Sequence, residues 1–350
     1  MSMGTSIIEL SKVAGVSKST VSRVLNQDPR VSAEAVEAVQ RAVDQLGYSR
    51  PQHQVGRPRR MPNGIRKGTV VLLFPDVDPR AMRTVLSARL LHGVEEALRR
   101  KGMGLLITGL PGDGRMPQSI QQRQVDGVIV RGAPQFAAAR TMIHEGIGKL
   151  PCVHLFEPRG AIPPTWDVVL EDNDVIAELA ADYLYTRGRR NFAMINLLPE
   201  HPSLRHRGRA FRDAAEDRGA TVHFFNEPGR SVSELVEAAL AKYQGKLDGV
   251  FVPGSDDHVV EVYRALQAQG CRPVDDADFI CCYNDPQRLS TLDPRLANLD
   301  IQPEAIGRAA AETLLWRLQN PKEPQRRLAI APATTAPAPE DPLGPAPSMG

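Results

Sequence analysis

Between Thr69 and Ile330, short apolar runs alternate with longer amphipathic stretches, and this alternation limits the fold more than any other feature. Thr69-Val70-Val71-Leu72-Leu73-Phe74 is a continuous apolar run of strand length, as a parallel strand covered on both faces requires. A helix over 84–100 follows, with Val85, Leu86, Leu90, Val94 and Leu98 on its inner side. Strands are expected over 104–108, 126–130 and 152–156, with helices over 116–124 and 135–145 between them. A second round opens near Asp172, with helices over 174–187, 204–218, 232–244 and 257–269 and strands over 192–196, 221–225, 249–252 and 279–283. A helix over 303–319 either returns to the first round or joins the two, and a strand over 327–330 closes the pattern. Right-handed crossovers turn each round into a doubly wound sheet, so the expected class is α/β with two lobes around a cleft. Ligands in such folds sit beyond the carboxyl ends of the strands.

The first fifty residues follow a different rule. Ala14-Gly15-Val16 makes a tight corner, with Gly15 free to take positive φ, and Ser17 then caps a short helix. Val21, Val24 and Leu25 form its apolar face, while Lys18, Ser19, Ser22 and Arg23 form the other. A helix precedes it, with Ser6-Ile7-Ile8-Glu9 as a capping box and Ile7, Leu10, Val13 and Ala14 as its inner stripe. A third follows, capped at Ser32 and stopped at Gly47, with Val36, Val39, Val43 and Leu46 on one face. Three short helices with a cationic outer face suit a DNA major groove; an ordinary helical bundle has the same pattern.

Charge separates head from body. Residues 1–68 hold 11 Lys/Arg and 5 Asp/Glu, a surplus of six, whereas the remainder is negative by four. A polyanionic partner for the head alone is implied. Residues 49–67 hold six Lys/Arg and no acid, and three prolines and two glycines argue against a continuous helix there. Within them, Gly56-Arg57-Pro58-Arg59-Arg60 resembles an AT-hook core, which would send Arg57 and Arg59 into a narrow A·T minor groove beside Arg60. The other reading is a disordered basic linker that neutralises phosphates. Cys152, Cys271, Cys281 and Cys282 have no staple-like spacing, and with no signal peptide or long apolar run the expected compartment is the reducing cytoplasm.

Val13-Ala14-Gly15-Val16-Ser17, Thr20 to Asn26, Val31-Ser32 and Leu46-Gly47-Tyr48 closely resemble the LacI/GalR repressor family. Val125 to Ile129, Val169 to Asn173, Ser203 to Phe211, Asp248 to Asp256 and Phe279 to Asp285 resemble the same family's periplasmic-binding-protein-like core. The resemblance implies that Lys18, Ser19 and Arg23 read bases, with Ser17, Thr20, Ser22 and Asn26 as phosphate contacts or caps. It also implies that Arg207, in Ser203-x-x-x-Arg207-x-x-Ala210-Phe211, clamps ligand hydroxyls or carboxylates. Ser255-Asp256 and Asn284 stand at strand ends where relatives carry Asn-Asp and Asp-Asp, and loop capping is the alternative for both. The chain departs from the family in its linker, where no leucine stands to wedge into the minor groove.

On the first lobe, Asp76, with Asp78 and Arg80, follows strand one, and Glu157 follows strand four. Trp166 has two readings, stacking on a sugar ring or packing between lobes. No Walker loop, dinucleotide turn or metal spacing is present, and Cys152-x-His154 reads as strand packing. The expected organisation is a helix-turn-helix domain over 5–48, a basic hinge over 49–68, a two-lobed ligand-binding and dimerisation domain over 69–332 and a disordered tail over 333–350. The expected function is that of a homodimeric transcriptional regulator, without cofactor or enzymatic activity. It would bind a near-palindromic duplex operator with an A/T-rich centre under control of a small molecule, a sugar at family level or alternatively a nucleobase. A sugar-binding protein or enzyme without a DNA role is the competing class.

Overall fold

The structure is a computed structural model that describes residues 7–25, 28, 30–46, 48, 65–75, 84–110, 115–132, 137–158, 160–244, 247–254, 256–282, 285, 289, 292 and 296–335. The chain forms two compact units, residues 1–60 and 61–350.

In the first unit, α1 (Ile7–Ala14), α2 (Lys18–Leu25) and α3 (Ala33–Leu46) close over Leu10, Val21, Val39 and Ala42. Gly15 takes φ +67 at the corner between α1 and α2, a conformation costly for any residue with a Cβ. Ser17 Oγ accepts the Thr20 N–H at 3.1 Å, and Ser32 Oγ accepts the Ala35 N–H at 3.4 Å. Val13 and Val36, expected on inner faces, are exposed. Helices this short enclose a core about one residue deep per turn, so the margins of their apolar stripes stay in water. Ser6 and Gly47 lie outside the described residues.

The second unit holds two six-stranded sheets. The first lobe contains β1 (Thr69–Phe74), α4 (Val85–Arg99), β2 (Gly104–Gly109), α5 (Gln118–Gln121), β3 (Gly127–Arg131), α6 (Ala137–Ile147), β4 (Cys152–Leu155) and β5 (Trp166–Glu171). The second contains α7 (Asn173–Thr186), β6 (Asn191–Ile195), α8 (Pro202–Asp217), β7 (Thr221–Phe225), α9 (Val232–Lys242), β8 (Gly249–Val252), α10 (Asp256–Ala268), β9 (Asp278–Cys281) and β10 (Ala297–Asp300). The chain ends in α11 (Pro303–Gln319), β11 (Arg327–Ile330) and β12 (Ala333–Thr335). The strand orders are β11-β5-β4-β3-β1-β2 and β12-β10-β9-β8-β6-β7, parallel throughout except for β12 against β10.

Alternate residues of each strand feed different cores. Val70 and Leu72 pack under α4 and α11, while Val71 and Leu73 pack with Ile143 and Ile147 of α6. In the second lobe, Cys281 joins the core beneath α9 and α10, and Cys282 joins that beneath α7 and α8, so the adjacent thiols do face apart. The two lobes share a device. Asp126 accepts the backbone N–H groups of Arg66, Lys67, Gly68 and Thr69 ahead of β1, and Asp248 accepts those of Arg190 and Asn191 ahead of β6. Each aspartate opens an Asp-Gly-Val segment on the neighbouring strand, β3 or β8, and so fixes where the lobe's first strand starts.

Three corrections concern the body. Residues 166–171 and 297–300 are strands that the apolar pattern did not reveal. Trp166-Asp167-Val168 carries a charge inside a fully buried strand, and that charge is met by Arg317 of α11 at 2.6 and 2.8 Å. The helix expected over 116–124 is only Gln118–Gln121, and the tail expected to be disordered from 333 begins with β12. Residue 336 onward lies outside the described residues. α11 belongs to the first lobe, where it crosses α4 so closely that a Cβ at Gly93 would collide with the Glu304 carbonyl.

The chain passes between lobes three times, at Glu171–Asn173, Asp300–Pro303 and Ile330–Ala333. These passages are tied together. The Asp172 N–H donates to Ile330 O at 2.9 Å, Gln302 Nε2 donates to Ala331 O at 2.7 Å, and Arg89 of α4 reaches both Asp300 and Glu304.

Candidate functional site

A cavity of about 180 Å³ lies beside the first two passages. The first lobe supplies Leu86, Arg131, Gly132, Phe156 and Glu157. Glu171 and Ile301 come from the passages, and His201, Pro202, Ser203, Leu204 and Arg207 from the start of α8. The walls are thus apolar around a few polar groups, the usual constitution of a small-molecule site.

Arg207 is buried, and α8 aims it at the passage. Its Nε donates to Asn173 Oδ1 at 3.0 Å, Nη1 donates to the Pro253 carbonyl, and Nη2 lies 3.4 Å from Glu171 Oε1. Glu171 is equally buried, so the cation is neutralised from within the protein. Three atoms of this cluster, Glu171 Oε2, Asn173 Nδ2 and Ser203 Oγ, have no hydrogen-bond partner among the described residues. Buried polar atoms normally have partners, and an acceptor, a donor and a hydroxyl left open together have the chemistry to take a hydroxylated ligand. Cys282 lies against Arg207, and burial pushes its thiol up to about 11.

Glu157 sits at the rim. Arg327 holds its carboxylate at 3.0 Å, and the His206 Nδ1 of the other lobe lies 3.7 Å away. The His206 Nε2 is 3.0 Å from Asp174 Oδ1.

On the first unit, Lys18, Ser19 and Arg23 are exposed along α2, opposite the buried Val21. Ser17 is exposed; Thr20 and Ser22 are half-buried beside them. Ser17 Oγ also lies 2.7 Å from Ser19 Oγ and 2.9 Å from Thr20 Oγ1, so the start of α2 is a compact hydroxyl cluster beside Lys18.

Comparison with known proteins agrees with this division. Residues 6–51 match the description "Bacterial regulatory proteins, lacI family", and residues 181–336 match "Periplasmic binding protein-like domain". The ribose operon repressor of Haemophilus influenzae is 29% identical over 341 residues, covering 93% of this chain and 95% of that protein. The transcriptional regulator PtxS of Pseudomonas plecoglossicida is 28% identical over 331 residues, covering 92% of each. Along nearly its whole length the chain is thus similar to LacI-family transcriptional regulators.

Two solved structures share this chain's fold. A CelR–cellobiose complex superposes with a TM-score of 0.65 at 24% identity, covering 95% of this chain and 98% of that one. A lac repressor dimer bound to operator and an anti-inducer gives 0.66 at 15% identity with the same coverage.

Of the ligand residues read from sequence, Ser203, Arg207 and Glu157 meet in the cavity. Trp166 does not. It is buried at the opening end of β5, beneath α6, with its ring edge-on to His144 at 4.9 Å. The carboxyl end of that strand, not its start, reaches the passage, so Glu171 stands where Trp166 was sought. Asp76, Ser255 and Asn284, with Asp78 and Arg80, lie outside the described residues, as do Asn26, Arg57, Arg59 and Arg60 and the side chain of Asp256. Glu171, which lines the cavity, and Asn173, which holds Arg207, were not among the candidates read from sequence; their one local signal was a Glu-Asp-Asn run closing an apolar strand. No described helix is long and apolar enough to cross a membrane.

Proposed function

We propose that this regulator is a homodimeric repressor that holds a near-palindromic operator through α2 and answers to a small carbohydrate bound between its lobes. Lys18, Ser19 and Arg23 read base edges in the major groove, while Ser17, Thr20, Ser22 and Asn26 meet phosphates or cap the helix. Two copies are needed because one short helix spans too few base pairs, and the lac repressor that shares its fold is named as a dimer on operator. Carbohydrate is favoured by the open donor–acceptor set on Glu171, Asn173 and Ser203. The names of two relatives, the ribose operon repressor and the CelR–cellobiose complex, agree.

The observation that carries this reading is the presence, in one chain, of an exposed cationic helix face and a cavity beside which buried polar atoms lack partners among the described residues. Binding of duplex DNA measured by fluorescence anisotropy, with and without a sugar panel, tests it. The reading requires steep salt dependence and a sugar-induced change in affinity; salt-independent binding, or indifference to every small molecule that binds the body, would refute it.

The linker part of the proposal rests on sequence. Gly56-Arg57-Pro58-Arg59-Arg60 enters the minor groove at the operator centre, with Arg57 and Arg59 drawn by its negative potential and Arg60 beside them. Exchanging the central A·T pairs of a selected operator for G·C then weakens binding, and an unchanged affinity would leave the linker as a phosphate neutraliser only.

A further inference from the structure

We infer that Glu171 makes the pocket selective for uncharged ligands: the effector is a neutral sugar or polyol of single-ring size, and its acidic and phosphorylated counterparts are rejected. The inference rests on the carbohydrate reading above and narrows it.

Two features of the pocket would ordinarily favour an anion. One is the buried guanidinium of Arg207, and the other is the amino end of α8, where Pro202, Ser203 and Leu204 line the wall. Glu171 already supplies that anion. Its Oε1 faces Arg207 Nη2, while Arg207 Nε donates to Asn173 and Nη1 to the Pro253 carbonyl, so three of the five guanidinium N–H groups are turned to the protein itself. Beside them an incoming ligand meets Glu171 Oε2, a buried carboxylate oxygen without a partner among the described residues. A sugar hydroxyl can donate to it, whereas a carboxylate or phosphate placed there would meet a like charge away from water. The Ser203 hydroxyl can give or take a second hydrogen bond from a neighbouring hydroxyl.

Arg131 is the other cation in the wall. Its guanidinium lies over the rings of Phe74 and Phe156, at 5.5 and 5.8 Å, and Glu157, held by Arg327, is a further acid of the lining. The described lining thus carries two arginines and two glutamates, of which Glu157 is paired with Arg327 and Glu171 keeps an open oxygen. Size narrows the class further. Pockets for drug-sized ligands measure about 300–1,000 Å³, and a space of about 180 Å³ walled by Leu86, Phe156, Leu204 and Ile301 suits one ring with its C–H faces covered.

Calorimetric titration of the full-length protein decides it. The probes are a library of neutral mono- and disaccharides and polyols, each monosaccharide matched with its aldonic, uronic and phosphorylated forms. The inference expects a neutral single-ring compound to bind at least about tenfold more tightly than its own charged forms. In Glu171→Gln, affinity for that compound falls about ten- to hundredfold, as loss of a hydrogen bond to a charged group implies, and discrimination against the acid shrinks. If an acid, a phosphate or a disaccharide binds best, or if Glu171→Gln folds with its discrimination unaltered, the inference is overturned and the carbohydrate reading survives. If no carbohydrate of either charge binds, the carbohydrate reading fails and takes the inference with it. Thermal melting shows whether the variant is folded; should it not be, the wild-type comparison decides alone.

Discussion

Arg207 and His154 show how differently buried polar side chains can act. Arg207 combines a fixed planar fork with a charged partner, so Arg207→Lys keeps the charge and loses the geometry. That variant should melt within a few degrees of wild type yet lose most of the sugar-induced rise in melting temperature; a full rise would remove Arg207 from the site. His154 on β4 is a packing residue whose imidazole burial pushes down to about 4. It is therefore neutral in the fold, while the unfolded chain binds a proton below about 6.5. Its share of stability is fully present above that pH and is lost as pH falls toward 4, up to about 3 kcal/mol from the difference of the two values. His154→Leu should flatten the pH dependence of the melting temperature in that window, and curves that stay parallel would contradict the assignment. The place of Arg207 at the cavity was legible in the sequence because its motif is local. Glu171 was not, because its role depends on where β5 ends against the other lobe. Trp166 was misread because a single aromatic does not reveal which end of a strand it occupies.

At the scale of elements, α4 and α11 cross in backbone contact, and the absence of side chains at Gly93 and Gly307 permits it. A methyl group on either would strike backbone, the Glu304 carbonyl or that of Leu90, which rotamer change cannot relieve. Gly93→Ala should therefore cost about 1–3 kcal/mol or more despite better helix propensity, read as the shift in urea midpoint; a stabilised variant would refute the crossing. On α2 the prediction concerns recognition. Arg23→Ala leaves the Leu10–Val21–Val39 core intact and should cost about 1–3 kcal/mol of specific DNA binding, compared between a selected operator and random duplex. An equal loss on both would make Arg23 a phosphate contact. Elements with continuous apolar runs or clean periodicity, such as β1, β8 and α11, are legible from the order of their residues alone. β5 and β10 were hidden because their polar residues find partners far along the chain, as Asp167 finds Arg317.

At the scale of the whole molecule, two activities are joined: duplex recognition by the first unit and ligand capture in the second. A ligand can shift DNA affinity only through its differential affinity for two states of the body. The ties among the three interlobe passages, Asp172 with Ile330, Gln302 with Ala331 and Arg89 with Asp300 and Glu304, are the contacts that two such states must rearrange or preserve. The most direct measurement is anisotropy of a labelled duplex that the protein has itself selected from random sequence, titrated with and without the sugar identified by calorimetry, for wild type and for Arg207→Lys. The expected result is at least a fivefold ligand-dependent change in wild-type affinity, about 1 kcal/mol of coupling, and none in Arg207→Lys at the same sugar concentration. The same change in both proteins, or no change in either when the sugar is bound, would contradict it.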